Sequence, residues 1–430
     1  MPEILPFDGT GSARRPIPTN AETSAARQDA PVLTVNFHLP MARSYVARTR
    51  IFSFAVPACM DGMINCVQVG LPLLAIRFGA SPWFLGMLGW SSQLVRFPLC
   101  LGSGALSDKV GRTRVIIPAA VLAALGCGAI GLTHNRFQLL PFYILMIASI
   151  GAFYPSLQAF IGDHSPKGEL RKNLSAFNVG WTVGGSICGL MAGYLLSIWQ
   201  PLPFAIGAAL ALIVVGLVLS WKRAPVARTH SENGVVPTDG GPGPFLFIAR
   251  TGHFLGFFAY SVARLQFPKL GIQMGMSEGT VGLLIGMMLV GQAMGIFVAG
   301  AGPWWRGKLW PQVLSQAMAL ASGVMAFLVS SPLLFAAAFL MQGTALGIAY
   351  TGALYYGLQA RTKMGRNTGI HESLVASGNV VGSFAGGAAA QFINLRAPYI
   401  VIAACSLIAI VVSLLFYSHW TDRTDRTDRH

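Results

Sequence analysis

The chain has 430 residues, 53% of them hydrophobic and only 10% charged, with a formal net charge of +15 and a mean hydropathy of +0.58. A soluble globular domain is about 25% charged, so this composition excludes an ordinary water-soluble protein of two or three domains. A nucleic-acid binder would gather its basic residues on one face; here they lie between long apolar runs, which points to a polytopic membrane protein without a nucleic-acid partner.

The first forty residues are polar, rich in Pro, Thr, Ala and Arg, and lack the apolar core of a signal peptide. Residues 1–45 are therefore expected to form a disordered cytoplasmic arm. A spanning helix needs about 20 mostly apolar residues. Twelve stretches satisfy that ruler: 51–76, 82–106, 115–133, 137–161, 174–198, 201–221, 245–268, 280–302, 311–330, 333–359, 371–395 and 398–418. The fold class expected is an all-α membrane protein, with an N-terminal six-helix bundle over 46–221 and a C-terminal one over 245–418. Between them 222–244 is polar and rich in Gly and Pro, as in a flexible cytoplasmic linker. Residues 419–430 hold three Thr-Asp-Arg repeats and read as a disordered tail.

The basic residues orient these spans. With both termini and the even-to-odd loops on one side, that side holds 23 of the 30 Lys and Arg, among them Lys167, Arg361, Lys363 and Arg366. The opposite loops hold Arg77, Arg136, Lys269 and Arg396, and Arg96, Arg250 and Arg264 fall within spans. The positive-inside rule puts both termini in the cytoplasm, the membrane being the inner, cytoplasmic one. The six cysteines all lie in apolar stretches without CxxC or His partners, so free thiols are expected, with no metal site and no cofactor.

Along span 1, Asp61, Asn65 and Gln68 fall on one helix face. Asp61 and Arg96 of span 2 each lie about ten residues from the cytoplasmic end, about 15 Å deep, where they can pair. An ionisable residue at that depth is costly and a functional candidate. Such a pair serves either as a proton-coupling switch or as a static ion pair.

The loop between spans 2 and 3 reads Gly104-Ala105-Leu106-Ser107-Asp108-Lys109-Val110-Gly111-Arg112-Thr113-Arg114. It matches G-x-x-x-D-[RK]-x-G-[RK]-x-[RK] at every signature position and so resembles the major facilitator superfamily. Gly70-Leu71-Pro72 and Phe78-Gly79-Ala80-Ser81-Pro82 also resemble that family's first external turn. Gly104 permits close helix approach, Gly111 a tight turn, and Arg112 can pair with a carboxylate across the inner face. The resemblance implies a latch on the cytoplasmic side in the outward-open state. Its partners by position are Asp163 and the start of span 11 near His371 and Glu372. The counterpart loop from Gly300 to Lys308 keeps Gly307-Lys308 but has Trp304 in place of the acid.

Span 4 offers Tyr154 and Gln158, and lacks the Arg that drug/proton antiporters of the resembled family carry. Span 5, Gly180-Trp181-Thr182-Val183-Gly184-Gly185-Ser186, lacks the proline of their antiporter motif. A shift of 196 places aligns the halves: Pro72 with Pro268, Gly79 with Gly275, Ser81 with Ser277, Gly111 with Gly307 and Tyr154 with Tyr350. A parallel repeat of six spans suits two bundles rocking about a central site.

Span 7 carries Arg250, His253, Tyr260 and Arg264; span 10 carries Gln342, Tyr350, Tyr355 and Tyr356. The resemblance places spans 1, 4, 7 and 10 around a central cavity, which these polar stripes fit. Arg250 either snorkels or contacts a ligand, and His253 either relays protons or packs. Arg264, in register with Gln68, is the stronger substrate candidate. His371-Glu372 either gates the inner face or caps span 11. If the three intramembrane Arg face the cavity, it favours an anionic or carboxylate-bearing solute.

The function expected is a monomeric secondary transporter in the lipid bilayer, moving a small-molecule substrate with proton coupling by rocking alternating access. No GxxxxGK[ST] pattern occurs, which argues against ATP-driven transport. The alternatives are an efflux permease for amphiphilic drug-like compounds, and a non-transporting receptor or assembly factor on the same fold. A membrane-embedded enzyme would need a converging His, Asp or Ser cluster, and only His371-Glu372 begins one.

Overall fold

The computed structural model describes residues 39–166, 168–221, 243–359 and 364–427; the side chains of 39–43, 358–359, 364–369 and 424–427 fall outside that description. The expected arm over 1–38, the linker over 222–242, Lys167, Arg361, Lys363 and the last three residues lie outside the described residues. The chain divides into Met1–Tyr45, of which only the opening of the first helix is described, and Val46–His430.

The described residues form twelve α-helices and no strand: α1 (Leu39–Arg77), α2 (Pro82–Val110), α3 (Arg112–Gly131), α4 (Arg136–His164), α5 (Leu170–Ile198), α6 (Leu202–Trp221), α7 (Phe245–Gln273), α8 (Glu278–Gly300), α9 (Trp310–Leu328), α10 (Pro332–Gln359), α11 (Met364–Phe392) and α12 (Ala397–Thr427). Each overlaps one of the twelve apolar stretches along most of its length. Their ends obey local chemistry that the repeat duplicates. Ser81 accepts from the Phe84 N–H at 3.2 Å to cap α2, and Ser277 accepts from the Thr280 N–H at 3.1 Å to cap α8. Gly111 and its repeat mate Gly307 stand at φ 101° and 65°, where a side chain would be strained.

Ten of these helices are long and apolar enough to cross a membrane by length and composition. The other two, α2 and α11, carry Ser91, Ser92, Gln93 and Arg96, and His371, Glu372, Ser377 and Asn379. They pack against each other, so their polar positions turn inward and not toward lipid. Three borders differ from the expectation by more than a few residues. Helix α1 begins at Leu39, twelve residues before the expected 51 and inside the stretch 1–45 expected to be disordered; its polar first turns continue the rod past the apolar run, and Arg48 ties them to the Ser220 carbonyl at 2.9 Å. Helix α11 begins at Met364, seven residues before the expected 371, because its polar first turns extend the rod beyond the apolar run. The stretch expected to be a disordered tail from 419 is helical to Thr427. Extending an existing helix avoids a new nucleus.

Helix pairing also repeats: α2–α4, α3–α4 and α3–α6 recur as α8–α10, α9–α10 and α9–α12. Close backbone approach holds α1 on α5, where a Cβ on Gly180 would meet the Phe54 oxygen at 2.2 Å. It holds α7 on α11 alike, where a Cβ on Gly378 would meet the Phe254 oxygen at 2.5 Å. The two halves meet along α2–α11 and α5–α8.

These cross-half contacts cluster at one end. We refer to the end bearing the 104–114 motif as the motif face. On the opposite face, a Cβ on Gly86 would lie 2.6 Å from the Ser383 oxygen, and one on Gly193 2.8 Å from Gly282 Cα. Arg77 donates to Glu278 at 2.5 and 2.6 Å, Gln266 to the Pro82 carbonyl at 3.3 Å and Lys269 to the Ala80 carbonyl at 3.1 Å. Arg136 and Arg396 bind carbonyls of neighbouring turns on this face, at Gly79 (2.7 Å) and at Phe327 and Val329 (2.6 and 2.7 Å). The four basic residues of these loops are thus all engaged in closing or bracing them. These close approaches and hydrogen bonds between the halves seal the opposite face.

Candidate functional site

Where the halves diverge they enclose a cavity of about 150 Å³. Helix α1 supplies Asp61, Asn65 and Gln68, α2 Gln93 and Arg96, and α4 Tyr154 and Gln158. From α5 come Phe177 and Trp181, from α7 Phe257 and Tyr260, and from α8 Leu289 and Gln292. Tyr350 of α10 and Glu372, Val375 and Asn379 of α11 complete the polar and aromatic wall. The spacing of Asp61, Asn65 and Gln68 along one helix face is what brings all three to it. Tyr154 and Tyr350, matched by the repeat, both line it.

Asp61 accepts a hydrogen bond from the Tyr154 hydroxyl. The expected Asp61–Arg96 ion pair does not form. Arg96 Nη2 pairs with Glu372 at 3.1 Å, joining α2 to α11 across the cavity, and Arg96 Nη1 donates to Gln93 Oε1 at 3.4 Å. The reason is the early start of α11, which carries Glu372 more than two turns into its helix. Glu372 therefore neither caps α11 nor reaches the 104–114 motif. His371 also departs from the expected latch: it is buried, its ring stacked on His253 at 4.3 Å between centroids and edge-on to Tyr350 at 4.9 Å.

Six other candidates do not line the cavity: Arg250, His253, Arg264, Gln342, Tyr355 and Tyr356. Arg264 is 1% exposed and lies against the Tyr260 ring at 5.6 Å. It stands one turn beyond Tyr260, toward the sealed opposite face, where helix packing has replaced open space. Its Nε and Nη1 have no hydrogen-bond partner among the described residues, and neither do the side-chain nitrogens of His253 or the amide atoms of Gln342. Tyr355 and Tyr356 pack on Trp305 and Arg306 near the motif face, and the Tyr356 hydroxyl accepts from the Gly307 N–H at 2.9 Å. Arg96 is thus the one intramembrane Arg of the three on the cavity wall, beside two carboxylates. The condition for a positive cavity is not met.

Gln93, Trp181, Gln292 and Asn379 were not among the sequence candidates. Gln93 precedes Arg96 by three residues and Asn379 follows Glu372 by seven, both helical spacings. Gln292 is the repeat mate of Arg96 at the shift of 196.

On the motif face Arg112 is the hub. It pairs with Asp108, with Asp163 at 3.0 Å, and donates to Ser107 Oγ at 2.7 Å and the Gly104 carbonyl at 3.4 Å. Arg114 donates to the Val110 carbonyl at 3.3 Å. Lys109 lies in the last turn of α2. Gly104 makes no close approach here, since nothing lies within 4 Å of where its Cβ would stand. The motif is assembled within its own half.

Known proteins share this build. A profile of the Major Facilitator Superfamily matches residues 51–358. Inner membrane transport protein YnfM of Escherichia coli is 26% identical over 44% of this chain and 45% of its own length. Minor myo-inositol transporter IolF of Bacillus subtilis is 28% identical over 40% of each chain. The cis,cis-muconate transport protein of Acinetobacter baylyi is 24% identical over 58% of this chain and 65% of its own. The chain thus spans under half the length of the first two relatives. Among solved structures, a bacterial homologue of the human lysosomal transporter Spinster, inward-facing and occupied, superposes with a TM-score of 0.63 at 16% identity, covering 89% of this chain and 97% of that one. The nucleoside transporter NupG gives 0.65 at 14% identity, over 87% and 99%. The matched profile covers well over half of the sequence, and with it the loop motif, the twelve helices and the repeated packing have one reading: this multi-pass membrane protein belongs to the Major Facilitator Superfamily.

Proposed function

We propose that the chain is a proton-coupled secondary transporter that carries a small solute across the cytoplasmic membrane by alternating access. The observation that carries this reading is the cavity at the junction of the halves, sealed on one face, with two ionisable contacts on its wall. One contact, Asp61–Tyr154, lies within the first half; the other, Arg96–Glu372, crosses between halves. Protonation of Asp61 removes a charge from the wall, while rocking of α2 against α11 changes the second pair. Charge state and conformation are coupled through that geometry. The positive-inside bias supports cytoplasmic termini, which makes the motif face cytoplasmic and this conformation inward-facing. The chain acts as a monomer, each copy holding a whole cavity.

The test uses spin labels at Val110→Cys and Lys308→Cys, one in each half at the motif face. The labelled pair is expected to show two distance populations whose ratio shifts with pH, and Asp61→Asn is expected to abolish that shift. A single pH-independent distance, or an unchanged shift in Asp61→Asn, refutes the proton-coupled reading.

A further inference from the structure

Resting on the transport reading, we infer that the solute is neutral: a ring-bearing compound with several hydroxyl or amide groups, of the polyol, sugar or nucleoside kind. The cavity wall carries six carboxamides, Asn65, Gln68, Gln93, Gln158, Gln292 and Asn379. Four of them, Asn65, Gln93, Gln292 and Asn379, are more than nine-tenths buried. Each carboxamide has a donor end and an acceptor end, and the protein uses only some of these. Asn65 and Asn379 each use one Nδ2 N–H on the carbonyls of Asp61 (2.9 Å) and Val375 (2.8 Å), which leaves each Oδ1 as an acceptor and one N–H as a donor. Gln68 and Gln93 receive Tyr260 (3.5 Å) and Arg96 (3.4 Å) on Oε1, which leaves each Nε2 as a donor. Gln158 and Gln292 make no hydrogen bond to described residues and offer both ends.

The unspent groups are therefore a balanced mixture. A carboxylate would be met by acceptors as well as donors, and by Asp61, while Arg96 is already held by Glu372 at 3.1 Å. A cation would find Asp61 but also the exposed donors of Gln68 and Gln93. A hydroxyl or a heterocyclic amide donates and accepts at once and satisfies both kinds of group. The rings of Trp181 and Tyr350, 5.8 Å apart and contributed by opposite halves, add apolar faces for a ring to lie against. Closing on such a solute would draw contacts from both halves together.

The full-length protein, purified in detergent, is melted with myo-inositol, uridine, cis,cis-muconate and tetraethylammonium at equal millimolar concentration. Binding to the native state raises the melting temperature, and a rise is expected with a neutral compound and not with the anion or the cation. Gln292→Ala and Gln158→Ala are each expected to weaken that binding about fivefold to tenfold, the worth of a lost hydrogen bond. Trp181→Ala distinguishes the sources: a larger loss for uridine than for myo-inositol indicates a planar base, and an equal loss a polyol. Stabilisation by muconate or tetraethylammonium alone, by nothing in the panel, or by a neutral compound whose binding survives both Gln variants overturns the inference. Proteoliposome flux separates it from the transport reading. A neutral compound that binds but never crosses removes transport and leaves this inference standing; a carboxylate that crosses removes this inference and leaves transport.

Discussion

Breaking the Arg96–Glu372 pair tests the cavity's energetics most directly. The charged atoms are 3.1 Å apart, and the side chains are only 13% and 15% exposed. At an effective dielectric near 20, their Coulomb attraction is about 5 kcal/mol, much of it offset by the desolvation of both ions. Removing one partner leaves the other charge buried and unpaired, at a cost of about 3 kcal/mol. Removing both costs less, since no charge is stranded. Because the pair links α2 to α11, that cost falls on whichever conformation keeps it formed. A loss of about 3 kcal/mol changes the ratio of two conformations roughly a hundredfold. Spin-label distances between Val110→Cys and Lys308→Cys read that ratio. Arg96→Gln and Glu372→Gln are each expected to deplete the conformation seen here, and the double variant to recover much of it. A double variant equal to the sum of the single changes within about 0.5 kcal/mol shows no coupling and refutes the reasoning.

Gly193→Leu would place side-chain atoms where Gly282 Cα and the Glu278 oxygen lie 2.8 and 2.3 Å from an ideal Cβ. It is expected to unseal the opposite face, read as faster thiol labelling of a Val69→Cys substitution, whose position is buried beside Gly282; unchanged labelling counts against the closed-face assignment. Arg112→Ala removes ion pairs to exposed carboxylates, each worth under about 1 kcal/mol, so the melting temperature should barely move while the spin-label ratio shifts. A large fall in melting temperature instead makes the motif a structural brace. Hydrogen bonds from Lys172 and then Arg50 hold the Glu169 carboxylate below its ordinary value of 4.5. Its lowered value means the contact contributes above the ordinary carboxylate range and is lost as pH falls through the lowered value. Protection factors for hydrogen exchange at the start of α5, taken against the intrinsic rate at each pH, should therefore fall on acidification, and Glu169→Gln should erase that pH dependence.

The parts of this molecule legible in sequence are those fixed by local rules. Apolar length located all twelve helices, and the shift of 196 matched Ser81 to Ser277 and Gly111 to Gly307, each pair doing the same job in both halves. Helical spacing put Asp61, Asn65 and Gln68 on one face, and all three reach the cavity. What spacing does not carry is position along the helix axis. Arg264 shares a face with Tyr260 yet stands one turn, about 5.4 Å, beyond it, inside the packed end and not the cavity. Glu372 fails in the opposite sense. Hydropathy started its helix at 371, because a span is recognised by its apolar run; the helix itself starts at Met364, whose first turns are polar. Eight residues at about 1.5 Å each carry the carboxylate roughly 12 Å inward, from the surface to Arg96. That displacement exchanges Arg96's partner and takes Glu372 away from the latch. It also takes the cavity from a positive reading, based on three Arg and one Asp, to one guanidinium facing two carboxylates. The chemistry of the site therefore turns on where helix α11 begins, which the polar residues 364–370 decide and an apolar-run criterion ignores.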